Sequence, residues 1–212
     1  MKVPLIPAAI VAAAILSVPA AAQDMVRDSS WTVTYDDPLV ADSSLFLVVM
    51  KPGWHMTTPA GSGATLTQPD STAAGNFLLK SVIFTFNADA KPSGPVFSRR
   101  GDGGAATEFV SVLLNNDGTV GLFHSAGAER HTIVPWTASD AIVRQLDTGG
   151  PPAKNVVTVL VGSSTLQVYV NGIEVIQQAV EHDFDGGIGF RVGAGTNLHV
   201  SELTVAALGT ER

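Results

Sequence analysis

Asn171-Gly172 lies between two runs of alternating apolar residues and constrains the local fold more than any other part of the sequence. A two-residue turn with positive φ at both central positions suits the twist of paired strands, and Asn-Gly is the preferred pair for it. We therefore expect the flanking residues 165–170 and 173–178 to form an antiparallel hairpin. Asp117-Gly118 predicts a second hairpin, between residues 108–114 and 119–124.

The same alternation of strands and turns continues over most of the chain. Roughly a dozen short segments alternate or are continuously apolar, and Gly, Pro, Asn and Asp separate them at intervals of about 8 to 12 residues. Residues 76–87 have the composition of a central strand. We expect a single short helix over residues 137–144, with Thr137 or Ser139 as its N-cap. This pattern predicts an all-β chain, an antiparallel β-sandwich of the jelly-roll type.

Residues 1–22 have the pattern of a secretory signal peptide. Lys2 gives a positive start, residues 3–18 are almost wholly apolar, and three alanines precede Gln23. The apolar run is shorter than the ~20 residues that a membrane helix needs, and prolines interrupt it. We therefore expect an exported protein, periplasmic or extracellular and without membrane insertion, with a flexible lead-in at 23–30 and one domain over 31–208.

The chain beyond the leader is acidic and sparsely charged. The full sequence carries a net charge of −7, and loss of Lys2 with the leader makes it about −8. Such a balance argues against a nucleic acid as partner. The many Ser, Thr, Asn and Gly residues instead suit a neutral polar ligand such as a sugar. Because the chain has no Cys, its stability depends on the core and the strand ladders rather than on disulfides.

Several short motifs occur in an order and spacing that resemble a known group of proteins. These are Gly53-Trp-His-Met-Thr-Thr58, Ala73-Ala-Gly-Asn-Phe77, Trp136-Thr137, Val170-Asn-Gly172, Asp185-Gly186, Gly189-Phe-Arg-Val192 and Leu198-His-Val200. The chain resembles secreted bacterial jelly rolls of the concanavalin A-like and laminin G-like type, related to the 3-keto-glycoside hydrolase-like domain family. That resemblance implies a concanavalin A-like sandwich and a role in carbohydrate recognition.

Trp54, His55 and Trp136 are the aromatic candidates for a ligand site. Trp54-His55 follows a Pro-Gly turn, where an indole can stack on a sugar ring and an imidazole can hydrogen-bond beside it. Trp136 stands at a strand end, where its ring would line a cleft. The alternative is that Trp54 fills the core, His55 covers an edge and Trp136 seals the rim of the sandwich.

Charged and titratable residues on or beside the predicted strands form a second group. Every other side chain of a strand points to the same face. We therefore expect Arg99 or Arg100, His124 and Arg191 to converge on one face; the alternative is a solvated face with cross-strand pairs. The group comprises Arg99, Arg100, Glu108, His124, Arg130 and Arg191.

The acidic string at residues 181–185 is the candidate metal site. Asp183 and Asp185, together with backbone carbonyl groups, are suitable ligands for Ca²⁺, and we expect no other cofactor. The string does not match an EF-hand loop, because its twelfth position would be Val192 rather than Glu. It also lacks the strand-borne carboxylate pair of an ordinary jelly-roll glucanase, since glycines follow Asp185 at once.

Three functions are compatible with these features, and we favour the first. The first is a non-catalytic carbohydrate-binding or surface-interaction module for oligosaccharides or polysaccharides. The second is a glycoside hydrolase of the 3-keto-glycoside type, in which His55 or Glu108 would act. The third is a structural envelope protein that binds a protein partner. The predicted ligand residues are Trp54, His55, Arg99, Glu108, His124, Trp136 and Arg191.

Overall fold

The computed structural model describes residues 30–101, 107–127, 129–180 and 183–209. Within these residues the strands form two antiparallel sheets of seven strands each. The first sheet contains, in spatial order, β1 (Thr32–Tyr35), β4 (Ala64–Ala73), β13 (Gly186–Val192), β6 (Gly94–Arg100), β7 (Glu108–Asn115), β8 (Thr119–Ala126) and β9 (Glu129–Ala138). The second contains β12 (Ile173–Ala179), β11 (Thr165–Val170), β10 (Ala153–Val161), β5 (Phe77–Thr85), β14 (Asn197–Ala207), β3 (Trp54–Thr57) and β2 (Phe46–Val49). The predicted antiparallel β-sandwich is confirmed.

One hydrophobic core lies between the two sheets. Alternate residues of the central strands face it, as Val157, Val159 and Val161 do on β10. Phe97 and Phe190 meet them from the first sheet and are fully buried. Burial of a side chain of this size contributes roughly 1.5–3 kcal/mol, so the core is the main source of stability in a chain without disulfides.

Both predicted hairpins are present. Asn171 and Gly172 have φ of 51° and 83°, as the turn between β11 and β12 requires. At the turn between β7 and β8, Gly118 has φ of 92°, and the Asp117 carboxylate accepts the backbone N–H of Thr119 at 2.9 Å. Local turn chemistry therefore fixes the register of both strand pairs.

The helix predicted over residues 137–144 is not formed, and that prediction is wrong. β9 continues to Ala138, and the segment after it is a turn held by a buried side chain. The Val143 N–H donates to Asn155 Oδ1 at 2.9 Å, and Asn155 Nδ2 donates to the Val143 carbonyl at 2.8 Å. Backbone groups that a helix would pair internally are thus bound by β10. Over the described residues, the helical structure is limited to a 3₁₀ turn at Asp42–Ser44.

The predicted leader at residues 1–22 lies outside the described residues, as does the lead-in except for Ser30. Within the described part of the chain, no helix has the length and apolar character needed to cross a membrane.

Candidate functional site

The first sheet has one face on the core and one face directed away from it, which we call the outer face. On β4, β8 and β13 the core-facing residues include Leu66, Leu122 and Phe190. Because side chains alternate along a strand, their neighbours Phe123 and Arg191 point to the outer face. This face collects aromatic and charged side chains from strands that are far apart in the sequence.

Two aromatic rings pack together on the outer face, and an arginine lies over one of them. The rings of Phe123 and Trp136 lie 4.9 Å apart, centre to centre, at an angle of 52°. The Arg130 guanidinium carbon lies 4.0 Å from the centre of the Phe123 ring, within the range of a cation–π contact. Phe123 is 4% exposed, whereas Trp136 is 40% exposed. The result is an accessible indole surface on a buried aromatic support, beside an arginine.

Gly121 makes room for this pair. A Cβ at this position would stand 2.6 Å from Phe123 Cε2 and 3.3 Å from Trp136 Cε3. The first distance is far below an ordinary van der Waals contact, so any larger residue would displace the rings. Gly121 therefore belongs to the architecture of the aromatic surface.

A charged pair lies on the same face. Arg191 donates two hydrogen bonds to the Asp36 carboxylate, at 2.8 and 2.6 Å, and a third to Thr65 Oγ1 at 3.1 Å. The Arg191 side chain is 18% exposed and that of Asp36 is 45% exposed. This two-pronged contact holds both side chains in fixed orientations.

A cavity of about 330 Å³, which we call the Arg130 pocket, lies beside the charged pair and is lined by Arg130 as well. It has the mixture of an apolar surface and convergent polar groups that is typical of small-ligand sites. Its walls include Asp36, Thr65, Phe109, Glu129, Arg130 and Arg191.

Arg130 differs from Arg191 in its electrostatic surroundings. In the described residues, no carboxylate lies within ion-pair distance of its guanidinium. Partial burial lowers the pKa of Arg130 most, and the positive charge of Arg191 lowers it further. The Asp36 carboxylate acts in the opposite direction. Arg130 stays protonated at neutral pH, but its charge is poorly compensated by the protein.

Arg99 also lies on the outer face. Its side chain leaves the sheet next to Gly187 and Thr67: a Cβ added to Gly187 would stand 3.6 Å from the Cβ of Arg99 and 3.6 Å from Cγ2 of Thr67. Its Nη1 donates to the Gly101 carbonyl at 3.3 Å. Its Nη2 is buried without a hydrogen-bond partner in the described part of the chain. Three predicted ligand residues, Arg99, Trp136 and Arg191, thus share this face.

The second sheet carries two other predicted residues, on opposite faces. Trp54 points inward and packs edge-to-face on Trp31, with ring centres 5.0 Å apart, next to the core. His55 points outward and contacts Phe86 and His199, at 5.3 and 6.2 Å between ring centres. Burial and then His199 lower the pKa of His55, and a hydrogen bond with Asn197 opposes them. Neither Trp54 nor His55 lines the Arg130 pocket.

Glu108 and His124 line a separate cavity of about 510 Å³ between the two sheets. Arg100 lines it too and forms an ion pair with Asp183. His124 stacks on His131 with ring centres 5.9 Å apart. The charged residues expected to converge are therefore divided: Arg99 and Arg191 are on the outer face, and Arg100 and His124 are in the cavity between the sheets.

Asp183 and Asp185 both have protein partners. Asp183 is bound by Arg100, and Asp185 Oδ1 accepts the Gly75 N–H at 2.7 Å. Over the described residues, no three His, Asp or Glu side chains are grouped in a way that would hold a metal ion. The Ca²⁺ site stays a prediction.

Comparison with known proteins gives matches in structure. Neither a protein-family model nor a curated protein sequence matches the chain. Carbohydrate-binding module CBM66 from Bacillus subtilis superimposes with a TM-score of 0.60 at 12% identity, over 87% of this chain and 98% of that one. A B. subtilis protein of unknown function with a galectin-like fold superimposes with a TM-score of 0.61 at 9% identity, over 82% of this chain and 88% of that one. The exoplasmic/lumenal domain of VIP36, in a Ca²⁺/Man3GlcNAc-bound form, superimposes with a TM-score of 0.57 at 10% identity, over 86% of each chain.

The chain has a galectin-like, concanavalin A-like jelly-roll fold. At sequence identities of 9 to 12%, the structural similarity to these proteins shows only that the fold is shared. The predicted relation to 3-keto-glycoside hydrolase-like domains is not confirmed by these matches and stays a prediction.

Proposed function

We propose that this chain is a carbohydrate-binding module whose ligand lies across Trp136 and the Arg130 pocket. The observation that carries the proposal is the exposed Trp136 ring, held on Phe123, whose ring also contacts Arg130 of the polar pocket. The apolar face of a sugar ring stacks on an indole, while its hydroxyl groups need hydrogen-bond partners beside it. Asp36 and Arg191 supply an acceptor and a donor there, already fixed by their mutual contact.

The rigidity of this face supports binding. Arg191 is held by Asp36 and Thr65, and the two aromatic rings are packed into the space that Gly121 leaves. Side chains that are ordered before binding lose little conformational entropy when a ligand arrives, and each would otherwise cost roughly 0.5–1.5 kcal/mol. The fold is also shared with a carbohydrate-binding module and with a lumenal domain in a Man3GlcNAc-bound form. The leader-like residues 1–22 favour a site of action outside the cytoplasm.

The test is binding of the chain without its leader to a glycan array, followed by calorimetry with the best ligand. Trp136→Ala should weaken binding at least about tenfold, roughly 1.4 kcal/mol, because it removes the stacking surface. Phe46→Ala is the matched control, since Phe46 is also 40% exposed but lies on the second sheet. Equal losses in both variants, or no glycan binding at all, would contradict the proposal.

Tryptophan fluorescence provides an independent readout of the same site. Trp31 is 6% exposed and Trp54 packs against it, whereas Trp136 is accessible. Sugar-induced quenching should therefore disappear in Trp136→Phe and persist in Trp31→Phe. Quenching that persists in Trp136→Phe would place the ligand elsewhere.

A glycoside hydrolase is the second candidate, because Glu108 and His124 line one cavity. His55 has no part in that cavity, since it points away from the core on the other sheet. Hydrolysis of a 3-keto-glycoside that is lost in Glu108→Gln and kept in Trp136→Ala would favour this candidate over the binding module.

A further inference from the structure

We propose that the ligand of the outer face is an acidic glycan, whose sugar rings carry carboxylate groups, and that Arg130 binds a carboxylate. This inference rests on the proposed function and specifies its ligand class. It follows from the contrast between two arginines on the same face: Arg191 is paired with a carboxylate, and Arg130 has no carboxylate partner among the described residues.

Arg191 shows how this face holds a carboxylate. Its guanidinium binds both oxygens of Asp36 through two parallel hydrogen bonds, at 2.8 and 2.6 Å. Such a planar, two-pronged contact is the geometry in which Arg recognises carboxylates. Arg130 presents the same planar group to the same pocket, and within the described residues it has no carboxylate partner.

The remaining charges near the pocket compensate Arg130 only in part. Asp36 is occupied by Arg191, and the Glu129 carboxylate lies 3.5 Å from His131 Nε2. Arg130 is exposed, but burial of part of its side chain and, next, the charge of Arg191 disfavour its charged form more than Asp36 favours it, as the lowered pKa indicates. A negatively charged ligand group would relieve this imbalance.

Arg99 adds a second incompletely bonded cation to the face. Its Nη2 is buried with no hydrogen-bond partner in the described part of the chain. Arg99 lies opposite Gly187 in the sheet, four positions along β13 from Arg191. Because strand residues rise about 3.3 Å each, Arg99 lies on the order of 13 Å from the Arg191 edge of the Arg130 pocket, where it would meet a second acidic unit of a longer ligand.

The Phe123–Trp136 pair places the Arg130 guanidinium close to the exposed ring of Trp136. Phe123 contacts both the Arg130 guanidinium and the Trp136 indole, so the two groups are neighbours on the same ring. A sugar ring stacked on Trp136 would hold a ring carboxylate towards Arg130. The chain as a whole has a net charge of −7, whereas this face carries Arg99, Arg130 and Arg191 beside the carboxylates of Asp36 and Glu129, so it is less acidic than the protein as a whole.

The test compares acidic oligosaccharides with their neutral counterparts by calorimetry at low ionic strength. The probes are tetramers of galacturonate, mannuronate and glucuronate, each paired with the same tetramer after reduction of its carboxyl groups to alcohols. At least one acidic tetramer should bind about tenfold or more tighter than its reduced form, an effect that salt weakens. Arg130→Gln should abolish this preference, so that the acidic tetramer and its reduced form bind the variant with equal affinity.

Arg144→Gln is the matched control, because Arg144 is exposed and lies against Gly118 at the turn between β7 and β8. It should keep the preference for acidic tetramers, and all variants should retain the melting temperature of the parent protein. Arg130→Lys should give an intermediate preference, since Lys keeps the charge but not the planar fork.

Each contrary result has a distinct meaning. Equal affinity for acidic and reduced tetramers, or binding only of neutral or sulfated glycans, would overturn the acidic-glycan inference and leave the carbohydrate-binding function intact. Failure of every glycan on the array would overturn both. An unchanged acidic preference in Arg130→Gln would overturn the role of Arg130.

Discussion

Arg191 on β13 and Asp36, at the end of β1, form a two-pronged ion pair across 155 positions of sequence. Thr65 on β4, the strand between them in the sheet, accepts a further hydrogen bond from the same guanidinium. The contact therefore joins three neighbouring strands at the edge of the Arg130 pocket. It both orders the pocket and removes one of its arginines from the charges available to a ligand.

A double-mutant cycle should measure this contact. Asp36→Asn, Arg191→Gln and the double variant should give a coupling free energy of about 1 kcal/mol in urea unfolding, because Arg191 is mostly buried but Asp36 is solvated. The coupling should shrink at high salt. If the destabilisations of the two single variants sum to that of the double variant within about 0.3 kcal/mol, the pair contributes nothing measurable.

Gly121→Ala should weaken glycan binding without changing any charged group. The added methyl would stand 2.6 Å from Phe123 and 3.3 Å from Trp136, so the rings must move. Near-ultraviolet circular dichroism should report the displacement, and calorimetry should report at least about a fivefold loss of affinity, roughly 1 kcal/mol. Gly61→Ala is the control, since a methyl there meets no atom within 4 Å. Unaltered binding in Gly121→Ala would show that ring placement is not important for the ligand.

Asn155→Leu should destabilise the protein by about 2–3 kcal/mol. Asn155 is 4% exposed and binds both the N–H and the carbonyl of Val143, which would be left unpaired. Asn155→Asp should cost less, because its carboxylate still accepts the Val143 N–H. Chemical unfolding of the three proteins measures the differences, and a cost below about 0.5 kcal/mol for Asn155→Leu would refute the structural role.

Stability should decrease as the pH is lowered through the titration of His55. Burial and His199 lower the pKa of His55 below its ordinary value of 6.5, so the folded state binds fewer protons than the unfolded state. The free energy of unfolding should therefore fall as the pH drops below about 6.5. The decrease between about pH 7.5 and 5.5 should be smaller in His55→Gln, and an identical pH dependence in both proteins would contradict this assignment.

Local turn chemistry explains why much of the fold is predictable from the sequence. Asn171-Gly172 and Asp117-Gly118 need only their own backbone preferences to define two hairpins, and the flanking alternation defines the core faces. Residues 137–144 differ because their backbone partners come from Asn155 and other distant side chains. The helical pattern there is local, whereas the competing hydrogen bonds are long-range.

The site was only partly predictable for a similar reason. Alternation from the core residues of β13 correctly directs Arg191 away from the core, but a bulge interrupts the register of β6 between Phe97 and Arg100. Ser98 at this bulge has φ of 55°. The sequence does not reveal this irregularity, which sends Arg99 to the outer face and Arg100 to the cavity between the sheets.

Arg130 is recognisable as a strand-borne charge, but its importance depends on Phe123, which belongs to the neighbouring strand. The pairing of β8 with β9 shifts twice between Val120 and Phe123. Once that register is known, Gly121, Phe123 and Trp136 fall on one face. Asp36 follows only from the pairing of β1 with β4. Such cross-strand neighbours require the sheet order, which a single sequence does not contain.

Mapping the glycan by NMR tests the central claim most directly. Amide shifts of the ¹⁵N-labelled protein, followed during titration with the best glycan of the array, should change around Phe109, Phe123, Arg130, Trp136 and Arg191 and saturate with one affinity. Shifts concentrated around His55 and His199, or around Glu108 and His124, would contradict the claim that the outer face of the first sheet binds carbohydrate.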